Sequence, residues 1–296
     1  HMRRALLSSM QTMGLCAVLL GGCADRRLPP ASASESTVAE ATAKKLESDL
    51  QALRDLTGPK KRAAEIAFGP RLEHDLAQCQ GTRHESWPLF QLAAWTLNHG
   101  GANGPDRTLS MLDRLERLSI DAFRGYPASE LRIRALLRLG RTIEAKNLAA
   151  RIDEKYPVAG LLKLVEFYEL VGNTAPSIPG MPVGPDSLAD NPVLVCFIGA
   201  PDASAREWLE PYKQALIGRS VQLVVIITAG NMLAAAAAAT DWQNDMRWLR
   251  SGDPSLSVDW RLPGVPVALL LGAAPKRMVL AVDPQPSDLL LFARPR

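Results

Sequence analysis

The sequence predicts a multidomain chain of class α + α/β: an N-terminal array of helical hairpins followed by a C-terminal α/β domain. Three observations carry this. Between about residues 38 and 170, apolar residues recur at three- and four-residue spacing, the period of helices with one buried face. Across residues 172–191, Pro176, Pro179, Pro182 and Pro185 alternate with Gly172, Gly180 and Gly184, which excludes a regular helix or a central strand. Beyond 191 the apolar residues come in short unbroken runs between turns, as in strands buried on both faces.

Composition sets the outer bounds. The chain has 296 residues, 47% of them hydrophobic, enough for one large core or two modest ones. Lys and Arg number 34 against 31 Asp and Glu, a net charge of +3, with the two signs interleaved. No basic stripe stands out, so nucleic acid is not an expected partner.

The elements follow in order. His1 reads as a cloning remnant ahead of a natural start at Met2. Arg3 and Arg4, then the apolar run 13–20, then Leu20-Gly21-Gly22-Cys23, have the order of a secretory signal peptide: basic end, apolar core, small residues, cut. The apolar run is shorter than the ~20 residues that span a bilayer. The four residues ending in Cys23 resemble the lipobox of bacterial lipoproteins. That resemblance implies removal of residues 1–22 and acylation of Cys23 as the first mature residue. Ala24 stands where an aspartate would imply inner-membrane retention, and Asp25 comes one position later. The resemblance therefore implies a lipid anchor in the outer membrane, with the protein facing the periplasm.

Residues 23–35, rich in Ala, Pro and Ser, read as a tether. The helical-hairpin domain is assigned to 36–171. Val38, Ala41, Leu46, Leu50, Leu53 and Leu56 line one face of a first helix, closed by Gly58-Pro59. A second helix spans about 60–79, with a break or kink expected at Gly69-Pro70. Helices at 87–97 and 106–119 flank Gly100-Gly101. Another pair, from 128 and from 143, flanks Gly140 and ends at Tyr156-Pro157, and a last helix covers 158–170. Leu139-Gly140, Glu144-Ala145 and Pro157 resemble the turn, second helix and end of a tetratricopeptide unit, although the Trp and Tyr of that family's first helix are absent. The resemblance implies a degenerate tetratricopeptide-like array.

Residues 172–191 form the linker, and 192–296 the α/β domain. Strands are expected at 193–198, 221–228, 265–271 and 278–282, and helices at 204–217, 232–250 and 287–292, with the alanine run 234–239 inside the second. Strand, helix, strand, helix, hairpin, helix resembles a thioredoxin-like domain. Its best local match is Gly264-Val265-Pro266-Val267, where that family places a cis-proline before its third strand.

The same resemblance places a Cys-x-x-Cys at the start of the first helix. Here those positions fall on Asp202 and Ala205, and no cysteine occurs between 199 and 209, even if Pro211 marks a one-residue shift. Disulfide exchange by the family's usual route needs a thiolate there. Asp202 or Ser204 reads instead as a helix cap. Of the four cysteines, Cys16 lies in the signal peptide and Cys23 is the lipid site, leaving Cys79 and Cys196 in the folded part. Cys196 stands where the family tends to have a buried acid, inside an apolar run, and reads as structural. His74, Cys79, His84 and Glu85 match no zinc spacing. No metal, cofactor or catalytic residue is therefore expected. The expected function is an envelope lipoprotein that binds other envelope proteins as a scaffold or assembly factor. Its peptide-binding candidates, implied by the thioredoxin resemblance, are Ala200, Pro201, Asp202, Val265 and Pro266. The alternative is a divergent periplasmic thiol-disulfide oxidoreductase or peroxidase using Cys79 or Cys196.

Overall fold

A computed structural model describes residues 33–56, 58–118, 126–157, 160–176, 191–200, 202–228, 247–250, 255–273, 277–286 and 288–292. The signal peptide, Cys23, most of the tether and linker, Pro201, the alanine run and the turn at 274–276 lie outside these residues. Among the described residues the chain separates into two compact units, one ending at Leu161 and the other beginning at Leu162.

Among the described residues the first unit holds six α-helices: α1 (Ala33–Asp55), α2 (Gly58–Cys79), α3 (Ser86–His99), α4 (Gly104–Leu118), α5 (Tyr126–Arg138) and α6 (Thr142–Lys155). Each packs on the next along the chain, and α1 touches α3 as α3 touches α5. Consecutive hairpins thus stack in order. The heptad-like spacing of α4 shows why: Thr108, Leu109, Leu112 and Leu115 are buried while Arg107, Ser110 and Glu116 are exposed. Leu46, Leu50 and Leu53 of α1 meet Phe68 and Leu72 of α2 and Leu92 of α3 in one apolar cluster. At the α5–α6 turn Gly140 adopts φ 71°, the left-handed conformation that ends helices, and its N–H and that of Arg141 return to Leu137 O and Leu136 O. Polar ties join successive helices: Thr108 Oγ1 donates to Ala93 O at 3.2 Å, and Arg132 spans from α5 to Asp113 at 2.6 Å and Glu116 at 3.3 Å on α4. The expected break at Gly69-Pro70 is absent: α2 runs through Pro70 without interruption. Trp95 Nε1 donates to Glu65 O at 2.7 Å, in the turn just before the proline.

The second unit begins with α7 (Leu161–Tyr168). The sequence assigned this helix to the helical-hairpin domain, with the boundary at 171/172. Phe167 and Leu170 instead pack into the core beneath the sheet, beside Leu256 and Trp260, on the face that Val193, Val195 and Phe197 present. The sheet is mixed, with β1 (Val193–Ile198), β2 (Gln222–Ile227), β3 (Arg247–Arg250), β4 (Val267–Leu271) and β5 (Val279–Val282) in the order β3-β2-β1-β4-β5. β2 is parallel to β1 and to β3, while β4 and β5 run antiparallel. Helix α8 (Ala203–Leu216) connects β1 to β2, α9 (Ser255–Asp259) precedes β4, and α10 (Leu289–Phe292) follows β5. Among the described residues the order strand, helix, strand, then a hairpin and a closing helix is the expected one, with a further strand between. A strand, β3, stands at 247–250, where the sequence pattern predicted the end of a helix; parallel pairing with β2 overrides local helix propensity there.

Every residue of β1 and of β4 is buried, as their unbroken apolar runs require. Val193, Val195 and Phe197 face α7 and Trp260, and Leu194, Cys196 and Ile198 face α8 and Leu289. Residues 172–175 pair along the outer side of β5, where Gly172 N and Ala175 N donate to Val279 O and Arg277 O. That cover blunts an otherwise open sheet edge.

Candidate functional site

The sequence-derived candidates sit at the C-terminal end of β1. β1 ends at Ile198, and the end of β2 fastens it: Thr228 N and Oγ1 both donate to Ile198 O, at 2.8 and 3.1 Å. The chain then turns through Gly199 and Ala200, with Asp202 N donating to Ala200 O at 2.9 Å. Asp202 is extended (φ −100°, ψ −179°), and its Oδ1 accepts from Ala205 N at 2.8 Å, so it caps α8.

Beside this turn lies the start of β4. The Val265–Pro266 bond is cis, as the resemblance at Gly264-Val265-Pro266-Val267 implied. A Cβ added to Gly199 would stand 3.4 Å from Val265 Cγ2, so the two segments touch. Val265 also packs on the core cluster that holds Phe197 and Trp260, whose rings lie 5.3 Å apart. Among the described residues no hydrogen bond engages the backbone N–H or C=O of Val265. Ala200 and Asp202 are exposed, and Val265 and Pro266 are half-buried. The structure therefore brings Ala200, Asp202, Val265 and Pro266 together, while Pro201 lies outside the described residues.

Among the described residues this corner holds no thiol. The position at which a thiolate would profit from a helix N-terminus carries the Asp202 carboxylate, which already occupies a free N–H of the first turn. The two thiols of the folded part are elsewhere, unpaired and buried. Cys196 is fully buried between Val225 and Ala268 on the neighbouring strands. Burial, and then the charge of Asp283, hold its pKa well above the ordinary thiol value. Cys79 ends α2 with its Sγ directed at Ala39 O, 3.7 Å away. Burial first, then Asp75 and Glu85, push its pKa up to about 11. Both environments oppose the thiolate that exchange chemistry needs.

Among the described residues no group of three or more His, Cys, Asp and Glu side chains could share a metal ion. His74 contacts Gln78 Nε2 at 2.9 Å, and Glu85 accepts from Gly81 N at 2.6 Å and pairs with Arg114. His84 lies beside Arg83, and its pKa is lowered by burial and then by that charge.

One feature escaped the sequence reading. A cavity of about 40 Å³ opens between α1, α2 and α3, with Leu50, Phe68, Leu72, Gln91 and Trp95 among its walls. Its signals were small: Gln91 interrupts an apolar run at 87–97, and Gly69 stands mid-helix, where a Cβ would lie 2.3 Å from the Trp95 ring.

No protein-family model matches the chain, and no curated protein matches it. Among solved structures, a thioredoxin-like protein from Bacteroides caccae ATCC 43185 aligns over 92% of this chain and 98% of its own, at 13% identity and a TM-score of 0.37.

Proposed function

We propose that this protein is an envelope lipoprotein that holds partner proteins as a scaffold or assembly factor, through a redox-inactive thioredoxin-like domain and a tetratricopeptide-like helical array. Cys23 would carry the lipid and fix the protein to the outer membrane, facing the periplasm; the order of residues 3–23 supports this.

The observation that carries the reading is the corner where Asp202 closes the α8 N-terminus beside Val265. Its backbone groups at Val265 are open among the described residues, and the surrounding turn is held by Ile198–Thr228 and Asp202–Ala200 hydrogen bonds. A preformed main-chain donor and acceptor can add one extended peptide with little ordering penalty. The buried thiols favour binding over thiol chemistry. Consecutive stacking of α1 to α6 supports the array reading of the helical unit.

Photocrosslinking in intact cells tests this. A photoreactive residue replacing exposed Ala200 should form protein adducts that are absent when it replaces exposed Ile143 on α6. Adducts from position 143 alone would move the function to the helical unit and end the peptide-corner reading.

A further inference from the structure

We infer that the cavity between α1, α2 and α3 is a binding site for the neutral amide head of a small ligand, whose apolar remainder lies against Phe68 and Trp95. Two independent observations meet there. The first is the space itself, about 40 Å³, walled mainly by Leu50, Leu53, Phe68, Leu72 and Trp95. The second is Gln91, which lines the same cavity, is 1% exposed, and has neither Nε2 nor Oε1 in a hydrogen bond among the described residues.

A buried amide without partners is a standing penalty, because it has lost water and gained nothing. Gln91 presents one donor and one acceptor side by side, so its complement is a group with the same pair reversed. A primary carboxamide has that pair. Size narrows the choice. The cavity exceeds the ~10–15 Å³ a single water needs and falls well short of the ~150 Å³ that encloses a benzene ring. A functional group fits, and a ring does not. Charge narrows it again. The charged residues that line it are one of each sign, exposed Arg54 and half-buried Glu65, and Asn98 and His99 complete the polar walls. A carboxylate head would lose its water and meet Glu65 as well as Arg54, so the neutral amide is favoured.

The walls are rigid enough for such discrimination. Trp95 is fixed by its hydrogen bond to Glu65 O, by its contact over Gly69, and by stacking on His99 with ring centroids 5.1 Å apart. Nothing in this inference depends on the corner at Val265.

The test is nuclear magnetic resonance titration of the full chain with propionamide, with propionate and 2-butanone as controls. Propionamide should shift the Gln91 side-chain NH₂ and Trp95 indole signals, whereas propionate should not, and 2-butanone, with an acceptor and no donor, should bind more weakly. Gln91→Met should weaken propionamide at least about 10-fold, the equivalent of two neutral hydrogen bonds. The same variant should melt no lower than wild type, since it removes an unsatisfied polar group. No shift at saturating propionamide would show that the cavity takes water only and overturn the inference. Equal binding by wild type and Gln91→Met, or a lower melting temperature for that variant, would overturn it too.

Discussion

Replacing Cys196 separates a structural thiol from a working one. Its side chain is fully buried at the middle of β1, flanked by Val225 and Ala268 and packed with Leu209 and Leu289. Cys196→Ala removes one sulfur from a closed space; the lost transfer and cavity terms come to about 1 kcal/mol. Cys196→Ser fills the space but buries a hydroxyl on an apolar sheet face, at roughly 1–3 kcal/mol. Serine should therefore be the worse replacement, by about 1 kcal/mol, or ~3 °C in melting temperature for a domain of this size. Thermal unfolding followed by circular dichroism reads the order wild type, then alanine, then serine. Titration with a thiol reagent supplies the second readout: Cys196 should react only when denaturant is added. A serine variant as stable as wild type, or a native thiol that reacts as fast as free cysteine, would refute the structural assignment and revive the thiol-enzyme alternative.

Three further outcomes are expected. Gly69→Ala should destabilise the helical unit by roughly 1–3 kcal/mol, because its Cβ would overlap the Trp95 ring; an unchanged unfolding curve would contradict the packing described. The raised pKa of Cys79, about 11 against an ordinary 9, means that in this window the native thiol keeps a proton the unfolded chain has lost. Its contribution to stability is thus complete below pH 9 and falls away as the pH rises towards 11, so wild type should lose more stability over that range than Cys79→Ala. Parallel curves would remove the basis for that assignment. Metabolic labelling with a fatty-acid probe should mark wild type and not Cys23→Ala, which should accumulate as unprocessed precursor; equal labelling would sink the lipid-anchor proposal.

Local pattern made much of this fold legible. The unbroken apolar run at 193–198 announced a strand covered on both faces, which is the strand observed, and the strand expected at 265–271 forms over 267–271. The Gly140 and Gly100 turns and the three- and four-residue apolar spacing located the helices to within a few residues. Misses came where tertiary pairing decided the outcome. Residues 247–250 follow a helix-favouring stretch, yet become a strand because the edge of β2 offers a partner. Pro70 looked like a break, but α2 continues through it, with Trp95 bonding to the preceding turn. α7 has the same apolar spacing as the helices before it, so periodicity alone could not show that Phe167 belongs under the sheet. At the candidate corner, a cap at Asp202 or Ser204 was readable from residue type and position and Asp202 fills it, whereas the cis bond before Pro266 was expected only from the family resemblance. The cavity was not, since it arises from three helices meeting around Gln91.

The central claim is that the corner around Ala200 and Val265 binds partners without thiol chemistry. The most direct measurement is photocrosslinking from position 200 in a chain that keeps Cys23 but carries Cys79→Ala and Cys196→Ala. The account predicts the same adducts, at the same yield per folded molecule, as in the chain with both thiols. Loss of those adducts in the thiol-free chain, or adducts that reducing agent releases as mixed disulfides, would contradict it.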